Sequence, residues 1–122
     1  VKRGMERGPA HATGRFGVAV VRGQSMEPTL SDGDRLLGSY RARPAPGSLV
    51  VARFVDGTVA VKRATEQRLL RSGAPGWWLL SDNPSEGVDS RHRGPVDSDA
   101  VLGVVLLRMW PSPRPGRMLA GR

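Results

Sequence analysis

The sequence predicts an all-β protein whose antiparallel strands curl into a partly open barrel or sandwich. Three observations predict it. Short apolar or alternating segments recur along the chain with turn residues between them, which is the spacing of strands in small sheets. Sixteen Gly and ten Pro interrupt the chain too often for long helices and supply the turns instead. Asp56-Gly57 lies between two such segments, and this dipeptide is a strong hairpin signal because tight hairpin turns need backbone angles that Gly and Asp tolerate.

The strands follow in order. Phe16 to Arg22 reads as the first and Arg35 to Tyr40 as a short second. Pro44-Ala45-Pro46-Gly47 is a turn. Leu49 to Val55 and Thr58 to Thr65 are the arms of the Asp56-Gly57 hairpin, and Leu69-Leu70 extends the return arm. After the turn Ser72 to Gly76 comes a strand from Trp77 to Leu80, with one of Trp77 and Trp78 facing in and the other out. Ser81 to Pro95 reads as a polar loop, and Ala100 to Trp110 as a last strand, interrupted at Gly103. The chain of 122 residues is read as one domain, 16–110, between a flexible basic segment, 1–15, and a Pro/Arg-rich tail, 111–122.

One turn has the makings of a site. Val18-Ala19-Val20-Val21 leads into Gly23-Gln24-Ser25-Met26-Glu27-Pro28-Thr29-Leu30, and Asp32-Gly33-Asp34 follows. Gly23 permits angles that a side chain forbids, and Pro28 stops a helix from running through. Ser25 therefore sits on a stiff corner. By itself such a serine is far more often an ordinary turn residue than a nucleophile.

Lys62 adds to it. The chain has 19 basic residues, and only Lys2 and Lys62 among them are lysine. Lys62 lies in the alternating segment Thr58 to Ala64, where Ala60 and Ala64 share its face and leave room for an inward side chain. Arg does not deprotonate in proteins, whereas Lys does when burial lowers its pKa, so a lysine here can be a general base. A solvated strand lysine is the plain alternative.

Together these segments are similar to a known family. Ser25-Met26-Glu27-Pro28-Thr29-Leu30, then Val61-Lys62-Arg63-Ala64, then Ser81-Asp82-Asn83 through Asp89-Ser90-Arg91 resemble, in order, the boxes of the signal peptidase I family of serine–lysine proteases. Gly47 to Phe54 resembles that family's Gly-Asp-x-Val-Val strand. The resemblance spans roughly Val18 to Arg108. Within the family, the likeness is greatest to small Arg-rich proteases that mature nickel-type superoxide dismutase.

The resemblance implies a signal-peptidase-like fold and acyl transfer by a Ser25/Lys62 dyad, with no cofactor and no metal. It implies that Asp82, Asn83, Asp89 and Arg91 lock the loop near the site. It also marks three departures. Gly23 stands where relatives often carry a hydroxyl that serves the oxyanion hole, which leaves backbone N–H groups for that task. Gly87 stands where the family has a Ser that hydrogen-bonds the lysine; Ser81, Ser85 and Ser90 are the candidates to replace it. Ser81 itself stands where the family has Gly. The implied substrate is a protein with an N-terminal propeptide or leader, laid as an extended strand and cut after a small residue. For the dismutase-maturing group it is the nickel superoxide dismutase precursor.

Composition narrows the alternatives. There is no Cys, and the two histidines, His11 and His92, stand in polar surroundings, so no disulfide, metal site or His-based triad is read. The longest apolar run, Ala100 to Leu107, is far short of the ~20 residues of a membrane span, and no signal peptide is read. The expectation is a cytoplasmic protein without a transmembrane segment. The net charge of +8 resides in the ends: residues 1–22 and 108–122 carry +4 each, and 23–107 is neutral. Without a nucleic-acid-binding signature, no nucleic-acid partner is expected. The other readings are conventional leader processing, disfavoured by the missing anchor, and a self-cleaving repressor, disfavoured by the few residues before Phe16. A non-catalytic basic β domain that binds nucleic acid or an acidic protein is the third.

Overall fold

The computed structural model describes residues 14–119. They form one antiparallel sheet of eight strands: β1 Phe16–Val20, β2 Arg35–Ser39, β3 Leu49–Arg53, β4 Val59–Leu69, β5 Pro75–Leu80, β6 Val96–Asp97, β7 Val101–Trp110 and β8 Arg114–Pro115. The order across the sheet is β1-β2-β7-β3-β4-β5-β6, with β8 added beside β7. The sheet curls into a half-barrel, with short helices at Ser90–Arg93 (α1) and Gly116–Leu119 (α2). There is one sheet and not two, so the architecture is the open barrel of the sequence expectation and not the sandwich.

Core residues occupy both faces of this sheet. Leu49, Val51, Val61 and Val105 join Ala19, Met26, Leu30 and Leu36 in one cluster. Val50, Ala52, Ala64 and Val104 join Trp77, Leu79 and Val96 in another. Neighbouring residues of β3 alternate between the clusters, which is why its run Leu-Val-Val-Ala is apolar throughout. Lys62 pairs with Val50 across β3 and β4, so it lies on the second face. Trp77 is buried, while Trp78 on the other side stacks under Arg68, whose guanidinium carbon is 3.9 Å from the ring centroid.

The hairpin loop is longer than Asp56-Gly57. It runs from Phe54 to Thr58, closed by Gly57 N–H donating to Phe54 O, with Gly57 at φ 89°. β7 passes through Gly103 without a break; the irregularity is a register shift against β3 between Val51 and Ala52. Short elements lie in segments read as irregular: α1 inside the polar loop, β6 just after it, and β8 with α2 beyond Trp110. α2 buries Leu119 in the first cluster, and the Leu119 carbonyl accepts a 2.8 Å hydrogen bond from Arg63 Nη2. The described part of the expected tail thus lies on the sheet. The expected basic N-terminal segment, with Lys2 and His11, falls outside the described residues except for 14 and 15.

Candidate active site

The Ser25 turn is held from below and from one side. Met26 and Leu30 sink into the first cluster, each burial worth about 1.5–3 kcal/mol. Leu30 N–H closes the turn onto Met26 O at 2.9 Å. Gly23, at φ 79°, turns its N–H onto Asp32 Oδ1 at 2.7 Å. Asn83 then takes the outward carbonyls: its N–H donates to Ser25 O at 2.9 Å and its Nδ2 to Gln24 O at 3.1 Å. The N–H groups of Gln24 and Ser25 have no acceptor among the described residues. Ser25 is half-buried, and its hydroxyl is fixed by its backbone.

Lys62 approaches from β4. It is 3% exposed, and its Nζ lies 3.1 Å from Ser25 Oγ and 2.9 Å from Ser81 Oγ. Burial pushes its pKa below the usual lysine range; the Asp89 carboxylate pulls it back and the Arg91 guanidinium pushes it down again. The position of Ser81 follows from strand register. Arg63 pairs with Leu80, so the next residues outward, Lys62 and Ser81, face each other across the β4–β5 pair.

The loop after β5 is built on two buried carboxylates. Asp82 accepts from Arg63 Nε at 2.8 Å and from Nη2 at 2.7 Å, a two-pronged pair, and also from the Thr29 hydroxyl of the Ser25 turn. Asp89 caps α1. Burial works to raise its pKa, but hydrogen bonds from the Arg91 side chain, Ser81 N–H and Arg91 N–H bring it down to about 2. Arg91 Nη2 reaches on to Pro84 O at 3.0 Å. Asp82, Asn83, Asp89 and Arg91 thus hold the loop against the Ser25 turn and the end of β5.

Of the three candidate hydroxyls only Ser81 meets Lys62. Ser90 Oγ accepts from Leu79 N–H at 2.8 Å, and Ser85 Oγ donates to Asn83 Oδ1 at 2.9 Å. Gly87 explains why the hydroxyl comes from elsewhere. A Cβ on Gly87 would lie 2.8 Å from Ser25 Cβ and 3.2 Å from Lys62 Nζ, and its φ of 75° disfavours any side chain. Glycine lets the loop close on Ser25 and Lys62. Gly87→Ala is accordingly expected to lower stability by about 1–3 kcal/mol and to displace the loop. Denaturant midpoints check the first, and the chemical shifts of Ser25 and Ser81 amides the second; unchanged shifts and midpoint would refute this packing.

Beside Ser25 lies a small pocket of about 40 Å³, lined by Val20, Val21, Arg22, Met26 and Val59 to Val61 as well as Ser25 itself. Two strand edges without a partner among the described residues flank it. Among the described residues β1 pairs only with β2, and β4 has β5 for a neighbour only from Arg63 onward. An extended peptide has a place to add backbone hydrogen bonds between them.

The Peptidase S24-like family model matches residues 5–106, most of the chain. The chain belongs to the Peptidase S24-like family. No curated protein matches it. Membership supports a function of serine-peptidase type, and it meets the likeness to signal peptidases at the level of the superfamily that holds both.

In this S24-like protein the structure brings Ser25, Lys62 and Ser81 together, with Gly87 over them, and leaves Ser85 and Ser90 in the loop frame. The sequence reading assigned no part to Thr29, Arg63 or Arg22. Arg63 had a signal in Val-Lys-Arg-Ala, since it directly follows the lysine, and Thr29 had one in Ser-Met-x-Pro-Thr-Leu; Arg22 had none. His92 Nδ1 accepts from Asp89 N–H at 3.3 Å within the α1 cap. Among the described residues no three His, Cys, Asp or Glu side chains gather as a metal site, and no helix is long and apolar enough to cross a membrane.

Proposed function

We propose that this S24-like protein is a serine endopeptidase in which Ser25 is the nucleophile and Lys62 its general base. The observation that carries the reading is the 3.1 Å contact between Ser25 Oγ and a buried Lys62 Nζ. Neutral Lys62 accepts the Ser25 hydroxyl proton as Oγ attacks the peptide carbonyl, then gives it to the leaving amine. Water, deprotonated by the same amine, hydrolyses the acyl-enzyme. Ser81 orients Nζ toward Ser25. The N–H groups of Gln24 and Ser25 are the donors offered to the oxyanion, each such donor being worth about 3–4 kcal/mol of barrier. Asp89 and Arg91 position the loop and touch no reacting atom.

The substrate is a protein whose N-terminal propeptide or leader is removed after a small residue, and the nickel superoxide dismutase precursor is the proposed one. The small pocket beside Ser25 suits an Ala-sized side chain, and the flanking edges suit an extended peptide. The dismutase assignment rests on the resemblance alone. The protein is mixed with that precursor and with an unrelated leader peptide that has Ala before the scissile bond. Mass spectrometry then reads the new N-termini and an acyl adduct on Ser25. Cleavage of both supports the peptidase without the specific substrate, and cleavage of neither refutes it.

A further inference from the structure

We infer that Arg22 selects substrates carrying an acidic side chain within two residues of the scissile bond; this rests on the peptidase reading above. Among the described residues, Arg22 is the one charged residue lining the pocket that holds Ser25. It is exposed and makes no hydrogen bond or ion pair among the described residues. The other cations of the site are already engaged. Arg63 is bound to Asp82 and Arg91 to Asp89, and the pKa of Lys62 is depressed. Asp32 could have neutralised Arg22, but its Oδ1 takes the Gly23 N–H and it makes no ion pair with Arg22.

The position of Arg22 gives its charge a direction. It follows β1, three residues before Ser25, on the strand edge that has no partner among the described residues. A peptide extended along that edge advances about 3.3 Å per residue. An arginine side chain of ordinary length therefore spans the two residues on either side of the bond that Ser25 attacks. A carboxylate there forms a charge-assisted pair with the uncommitted guanidinium. A lysine or arginine at the same place meets an unneutralised like charge.

The test uses peptides identical except for Asp, Asn or Lys at each of three positions: the one before the small residue and the two after the bond. Competition between peptides gives ratios of kcat/KM in wild type, Arg22→Ala and Arg22→Glu. Binding to Ser25→Ala, alone and combined with Arg22→Glu, gives the same ratios without chemistry. At one position Asp is expected to exceed Asn by about fivefold, the upper range of a partly exposed pair. The preference should vanish in Arg22→Ala, reverse toward Lys in Arg22→Glu and fade in high salt. Cleavage with the same Asp-to-Asn ratio in all three proteins overturns the inference and leaves the peptidase standing. Arg22-dependent binding without cleavage of any peptide does the opposite. Absence of both binding and cleavage overturns both.

Discussion

Lys62→Met is expected to lose cleavage by about 10⁴-fold, since an essential base contributes up to that factor, and to gain stability relative to wild type as pH falls. Met keeps the length of the stem in the space between Ser25 and Ser81 but accepts no proton. The folded pKa of Lys62 is depressed chiefly by burial, while the unfolded value is near ~10.4. Between the two the unfolded chain binds more protons, so the wild-type stability from this group rises with pH through that window. Below the folded pKa the cost of burying the amine is present in full; above ~10.4 it is gone. Met carries no such cost at any pH. It does leave the buried Ser81 hydroxyl without its amine partner, a loss of about 1 kcal/mol that does not vary with pH. The stability of the variant minus that of wild type is therefore largest at low pH and shrinks toward pH 10. Denaturant midpoints for both proteins from pH 6 to 10, with peptide cleavage alongside, measure it. A constant difference across that range, or retained cleavage, ends the assignment of Lys62 as base.

Ser25→Ala is expected to remove cleavage by about 10⁶-fold, as loss of a nucleophile does in serine proteases, with little change in stability. Its Cβ keeps the contact beneath Gly87, its carbonyl still accepts from Asn83, and Lys62 still has Ser81. Only one half-buried hydroxyl is lost, worth about 1 kcal/mol or less. A folded variant without activity places the nucleophile. Cleavage near the wild-type rate would move it elsewhere, and a denatured variant would contradict the account of the turn.

Much of this was legible along the chain because it is local. Gly23 and Pro28 bracket the Ser25 turn, and the bias toward Arg singles out Lys62. The alternation from Thr58 to Ala64 lays Lys62 on the face of two alanines. Six strands announce themselves by apolar runs between turn residues. What stayed hidden depends on contacts between distant segments. Residues 111–119 have the composition of a tail, and nothing local tells that Leu119 reaches the core or that Arg63 takes its carbonyl.

The choice of Ser81 as the partner of Lys62 shows the division most clearly. The sequence by itself determined a β protein with a serine on a rigid turn, a lysine on an inward strand face, and three hydroxyls from which a partner could come. Tertiary structure decided among those hydroxyls through a single register shift. Near their turn β4 and β5 pair Leu69 with Pro75 and Glu66 with Trp78, a register that would bring Asp82 opposite Lys62. The shift between Ala64 and Glu66 moves the pairing by one residue and puts Ser81 there instead. One residue of slip exchanges the two faces of a strand. It puts a neutral hydroxyl on the amine and leaves the Asp82 carboxylate to Arg63 and Thr29. A carboxylate against Nζ would hold the lysine protonated. No local pattern records a bulge of this kind, because its position reflects how the whole curled sheet packs around the two core clusters.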